Sequence, residues 1–136
     1  MKEKEIKDYA LKHSTSHLMA SAVKELYPKA KLAIGPPTED GFYYDFDNLS
    51  IADEDLKNIE KKMRQLAEQN HEFKVKDATK KEAEKLLKEE PYKLEILKDL
   101  KGKITFYSHG NFNDLCEGPH VKSTKEIKNF KLTKLA

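Results

Sequence analysis

The sequence predicts one α+β domain: a mostly antiparallel sheet with a long N-terminal helix and further helices packed on one face. Three observations lead there. The chain opens on a long helical run without Pro or Gly. Later stretches repeat apolar residues at helical spacing. Between them lie short segments rich in aromatic and β-branched residues, bounded by Gly and Pro.

Residues 3–27 read as one helix, stopped by Pro28. Its apolar stripe runs through Leu11, Leu18, Met19, Ala22, Val23 and Leu26. His13 and His17 fall nearly opposite that stripe, one turn apart on a shared face. Tyr9, Ala10 and Ala20 flank them, which suggests that this second face is covered too. Lys31 to Gly35 and the segment from Gly41, G-F-Y-Y-D-F-D, read as a hairpin with its loop around Pro36 to Asp40. Phe42, Tyr44 and Phe46 share one face of it; Tyr43, Asp45 and Asp47 share the other.

Ser50 with Asp53 reads as a helix start, and Leu56, Ile59, Met63 and Leu66 carry that helix to about Asn70. Glu72 to Asp77 reads as a strand with Phe73 and Val75 inward. Thr79 with Glu82 makes a capping box for a short helix through Leu87. Pro91 opens another short helix, broken at Lys101-Gly102. Ile104 to Tyr107 reads as a strand, and Asn129 to Leu135 as a final one.

With 136 residues, 38% hydrophobic and 37% charged, the chain is long enough for a single core. No apolar run is long enough to span a bilayer, and the charged first residues are unlike a signal peptide. A single cysteine excludes an internal disulfide and fits a reducing, cytoplasmic setting. A net charge of +2 is no strong nucleic-acid footprint. The last 36 residues, however, hold seven lysines against three acidic residues. Lys122, Lys125, Lys128, Lys131 and Lys134 recur every third residue, either as a solubilising face or as a phosphate-contacting rim.

The chemistry concentrates in Asn113 to Val121, N-D-L-C-E-G-P-H-V. Gly118-Pro119 cannot lie inside a helix, so the segment reads as a turn or loop. It carries Asp114, Cys116, Glu117 and His120 on a bent backbone. The expectation is that C-x3-H meets H-x3-H in space and that both line one site. Three imidazoles and a thiol suit tetrahedral zinc, with His13, His17, Cys116 and His120 as candidate ligands. They equally suit a metal-free hydrolytic site, where an imidazole handles the proton of an attacking water. Spacing alone leaves both open.

The strings H-S-T-S-H-L-M-A-S-A-V-K-E-L-Y-P, A-I-G-P, G-F-Y-Y-D-F-D, D-L-C-E-G-P-H-V and F-K-L, in that order, resemble the editing domain of bacterial-type threonyl-tRNA synthetase. The resemblance runs from about His13 to the C-terminus. More distant relatives are alanyl-tRNA synthetase editing domains, which share only the two short histidine motifs. The resemblance implies hydrolysis of serine wrongly attached to threonine tRNA. It carries over His13, His17, Cys116 and His120, then Asp114, then Lys93 from Y-K-x-x-I-L, as catalytic residues, and Tyr44 as a substrate-binding one. It implies no required cofactor, since the threonyl branch works without a required metal, whereas the alanyl branch holds zinc on the four shared ligands. The implied partners are the acceptor end of threonine tRNA and the catalytic domain of a parent synthetase. Residues 1–136 would then be a single editing domain: an excised fragment, a shortened synthetase or a free-standing protein. The sequence has no phosphate-binding loop for ATP, so aminoacylation by this stretch alone is not expected.

Overall fold

A computed structural model describes residues 2–135. Helix α1 spans Glu3–Leu26, strand β1 Lys31–Leu32, β2 Phe46–Asp47, α2 Asp55–Glu68, β3 Lys74–Asp77, α3 Lys80–Leu86, α4 Pro91–Asp99, β4 Thr105–His109 and β5 Phe112–Leu115. A 3-10 turn, Thr124–Glu126, precedes the tail. All pairing is antiparallel, as expected, but it is divided between two small sheets, β1-β2 and β3-β4-β5. Among the described residues no helix is long and apolar enough to cross a membrane.

Helix α1 is the centre of the fold. Leu18, Ala22 and Val23 pack on Ile59, Met63, Leu66 and Ala67 of α2, with Ile127 closing the cluster. Ala20 packs with Leu32 and Tyr44 of the β1-β2 hairpin. The stripe read from sequence is therefore inward in its middle, while Leu11 and Leu26 at its ends are exposed. The opposite face is covered as well: Ala10, His13 and His17 are buried.

The β4–β5 part of the three-stranded sheet is covered on both faces rather than on one. In its register Phe106 faces Leu115, and both pack on Ala83, Leu87 and Leu97 of the α3–α4 pair. Tyr107 faces Asp114 and His109 faces Phe112. Alternation puts these four side chains on the other side, towards α1, where the Phe112 ring meets that of His17.

Several local expectations hold. Phe42, Tyr44 and Phe46 turn inward while Tyr43, Asp45 and Asp47 stay exposed. Thr79 and Glu82 form the reciprocal cap of α3. Others need correction. Ser50 does not start α2. The helix begins at Asp55, whose carboxylate accepts the Ala52 N–H (2.8 Å). Val75 is 58% exposed because β3 is an edge strand with its side chains in solvent; only Phe73, just before it, joins the core. The segment Phe112–Leu115 is a strand, not loop, since it completes the β4 hairpin before Gly118 breaks the pattern. Asn129–Leu135 forms no strand. With lysine at every third position it lacks the period of two that a strand needs, and it lies along α2 with the Leu132 N–H bonded to Glu60 Oε1 (2.6 Å).

Candidate active site

Two segments about a hundred residues apart in sequence build the site. Turns three and four of α1 present His13 and His17. The loop after β5 presents Cys116 and His120. Gly118 shapes that loop: its φ is +78°, and an added Cβ would lie 2.5 Å from Tyr107 Oη. Gly35 has a similar role on the other wall, where a Cβ would collide with the Tyr44 ring.

The polar atoms converge. Cys116 Sγ lies 3.3 Å from His13 Nε2 and 3.3 Å from His120 Nε2. The His13 and His120 rings stack at 4.3 Å, and Phe73 stacks on His120 at 5.0 Å. The four candidate ligand atoms of His13, His17, Cys116 and His120 all lie within 4.8 Å of one another.

The fixed donors and acceptors around them set the tautomers. His13 Nδ1 faces the Pro119 carbonyl (3.3 Å), which can only accept, so this nitrogen carries the proton and Nε2 offers its lone pair inward. Ser14 Oγ accepts the Val121 N–H (2.9 Å) and lies 2.9 Å from His120 Nδ1, an arrangement consistent with the hydroxyl donating to that nitrogen. His120 Nε2 is then a donor to Cys116 Sγ. The Gly118 N–H also donates to that sulfur (3.2 Å). One consistent chain of hydrogen bonds thus runs from the loop backbone through Ser14, His120 and Cys116 to His13.

Below this cluster lies an ionic floor. Asp114, 1% exposed at the end of β5, accepts the Tyr44 hydroxyl at Oδ2 (2.8 Å). Lys93, buried near the start of α4, brings Nζ to 3.1 Å from Asp114 Oδ1, an ion pair off the hydrogen-bond direction. His17 Nδ1 is 3.5 Å from Oδ2 of the same carboxylate. The Lys93 ammonium also sits 5.5 Å over the Tyr44 ring. Tyr44 lines the cavity, but its hydroxyl is already committed to Asp114.

Burial dominates the electrostatics. It holds His17 well below the usual imidazole range and His120 down to about 3. His13 is lowered by burial and partly restored by the Pro119 carbonyl. Burial pushes the Cys116 thiol up to about 12, against the Gly118 N–H. It also raises the Asp114 carboxyl, opposed by Lys93 and Tyr44. At neutral pH the site therefore presents neutral imidazoles and a neutral thiol.

A cavity of about 380 Å³ opens onto these groups, lined among others by His13, His17, Tyr44, Lys93, Asp114 and Cys116. A larger groove of about 630 Å³ lies elsewhere, between the β2 segment and the tail, and gathers no histidine or cysteine. Lys131 and Lys134 border that groove, and no member of the lysine series lines the site cavity; Lys103 does. Every site residue expected from the sequence is thus in or against one cluster. Ser14, the Pro119 carbonyl and the stacking of Phe73 on His120 were not anticipated. Ser14 lay within the H-S-T-S-H string, but nothing in its type or spacing pointed to His120.

A buried imidazole, thiol, lysine and aspartate cluster at a cavity, carried by α1, α4, β5 and the loop after β5, is an arrangement suited to hydrolysis. Residues 104–135 match the family described as threonyl and alanyl tRNA synthetase second additional domain. Fold, site and match together define the class: an editing-type domain of the threonyl and alanyl synthetase kind. The relatives narrow it to the threonyl side. The chain is 47% identical over 130 residues to the threonine–tRNA ligase of Rubrobacter xylanophilus, covering 94% of this chain and 20% of that protein. It is 51% identical over 130 residues to that of Citrifermentans bemidjiense, covering 93% and 20%. The Clostridium botulinum enzyme is 46% identical over 139 residues, covering 98% and 22%. The chain therefore spans about a fifth of the length of these relatives.

Proposed function

We propose that this domain hydrolyses the ester of serine wrongly attached to threonine tRNA. The observation that supports it is the convergence of His13, His17, Cys116, Asp114 and Lys93 at one solvent-open cavity, with His120 against Cys116. An aminoacyl ester is already activated, so water suffices as the nucleophile. Cys116, with its proton held to about 12, is poorly suited to attack and serves to shape and link the cluster.

The water oxygen bonds to the ester carbonyl carbon while its proton passes to an imidazole. His13 is the best base of the three, because His17 and His120 are more strongly disfavoured as cations. The Lys93 ammonium stabilises negative charge on the carbonyl oxygen. Asp114 anchors Lys93 and orients His17. The carbon–ribose oxygen bond then breaks, and the ribose oxygen takes the proton back from His13. The products are serine and uncharged tRNA. The biological need is physical: serine differs from threonine by one methyl group, worth only about 1–3 kcal/mol of discrimination in a single pocket. In this reading the partners are the tRNA acceptor end and the aminoacylating body of a longer synthetase.

The donor set favours a second reading, with zinc on His13, His17, Cys116 and His120. These donors lie close enough together, and His13 Nδ1 is held by the Pro119 carbonyl, as the outer nitrogen of a metal-bound histidine is, while the Asp114 carboxylate lies 3.5 Å from His17 Nδ1. Zinc bound there would supply a Lewis acid, but four protein ligands close a tetrahedral site and leave no position for water, which suits a structural ion. Deacylation of seryl-threonine-tRNA and seryl-alanine-tRNA, with and without chelator, separates the readings. The expected result is hydrolysis of the first that survives chelation, and loss of at least 100-fold in His13→Ala or Lys93→Ala. No hydrolysis in the wild type, or unchanged rates in both variants, would remove the proposed mechanism. Activity lost on chelation and restored by zinc would favour the metal reading.

A further inference from the structure

We propose that Glu90 is a positioning residue for Lys93: its buried carboxylate fixes where the lysine-bearing helix meets the histidine-bearing one. This rests on Lys93 being part of the editing site. Glu90 immediately precedes Pro91, the first residue of α4, and its carbonyl accepts the Leu94 N–H that starts the helix (3.0 Å). Its side chain points the other way, into the protein, and is 8% exposed. A carboxylate so buried needs partners, and it has two from separate elements. Oε1 accepts the Leu32 N–H of β1 (2.8 Å) and Oε2 pairs with Lys24 Nζ of α1 (2.8 Å). Lys24 is itself held by the Ala30 carbonyl (2.8 Å).

Helix α4 is thus secured at two places. Leu97 anchors it to Phe106 and Leu115 of the sheet. Glu90 ties its first turn to α1 and β1. Lys93 lies between these anchors, one turn from Glu90, and its ammonium reaches Asp114 and the Tyr44 ring from there. Neither Lys24 nor Glu90 lines the site cavity, so the pair touches no substrate and acts on chemistry through the groups it positions, Lys93 first. A misplacement of about 1 Å in a catalytic group costs on the order of 100-fold in rate.

Glu90→Gln keeps an oxygen for the Leu32 N–H and loses the ion pair; Lys24→Met removes the same pair from the other side, so one variant survives if the other fails to fold. Steady-state deacylation is measured for each, alone and in a Lys93→Met background, together with Tm. The Lys93 ammonium 15N resonance, assigned by its absence in Lys93→Met, is recorded in parallel. The expected result is a fall in kcat of at least 10-fold with KM within twofold, shrinking to less than twofold without Lys93, and a moved or broadened Lys93 resonance. An equal loss with and without Lys93, or a lowered Tm with the Lys93 resonance unmoved, would overturn the proposal. If wild type shows no deacylation, the editing reading fails, and the resonance alone decides whether Glu90 positions Lys93.

Discussion

Asp114→Asn removes one charge from the ionic floor and leaves its shape almost unchanged. Asparagine can still accept the Tyr44 hydroxyl. It cannot balance the Lys93 ammonium, which is 6% exposed at the side chain and 3.1 Å from the carboxylate. At that distance the attraction is about 5 kcal/mol with an effective dielectric of 20. Stranding one partner of a buried pair typically costs about 3–5 kcal/mol. For a domain of this size that lowers Tm by roughly 10–20 °C, a large part of the ~5–15 kcal/mol that keeps a typical domain folded. Lys93→Met should cost a similar amount for the mirrored reason. The double variant, Asp114→Asn with Lys93→Met, buries no net charge and should recover most of the loss. Thermal and urea denaturation of the four proteins measures the coupling. A coupling below about 1 kcal/mol, with additive single losses, would refute the view that this pair is a closed, desolvated unit.

Two further outcomes follow from the site and its surroundings. Gly118→Ala places a methyl at positive φ against Tyr107, so the Cys116–His120 loop must shift. Deacylation should fall by at least 10-fold with a stability loss of about 1–3 kcal/mol, and an unchanged rate would mean that the loop geometry is not needed. His109 is buried between Phe73 and Phe112, its Nε2 has no partner among the described residues, and burial with nearby His71 lowers it to about 4. The unfolded chain therefore binds a proton near pH 6.5 that the folded chain refuses until about pH 4. Stability should fall as pH drops through that window, by up to about 3 kcal/mol, then level off. His109→Phe should flatten this component in urea titrations at several pH values; a parallel curve for the variant would show that His109 does not titrate there.

The elements were largely legible because they depend on local chemistry. Pro28 ends α1, the Thr79–Glu82 box opens α3, and the aromatic alternation of residues 42–47 gives the inward and outward faces. The expectations that failed were those in which a sequence pattern was not matched by what lay beside it in the fold. Ser50 had a cap pattern, but Asp55 supplied the turn. Val75 had a strand's inward period, but its strand lies at an edge with nothing above that face. The tail had apolar residues, but no strand lay beside it and Glu60 took its N–H instead.

The site divides in the same way. Residue type and spacing were enough to nominate His13, His17, Asp114, Cys116 and His120, because the chemistry of imidazole, thiol and carboxylate is written in the residue itself, whereas Lys93 came only from the family resemblance. Only packing brought Lys93 onto Asp114, gave the Tyr44 hydroxyl to that carboxylate, and enlisted Ser14 and Glu90. Those pairings join residues from 21 to 106 positions apart. No periodicity reaches that far along a chain. Such contacts exist because burying α1 between two sheets and α2 forces its polar groups to find partners wherever the fold has placed them.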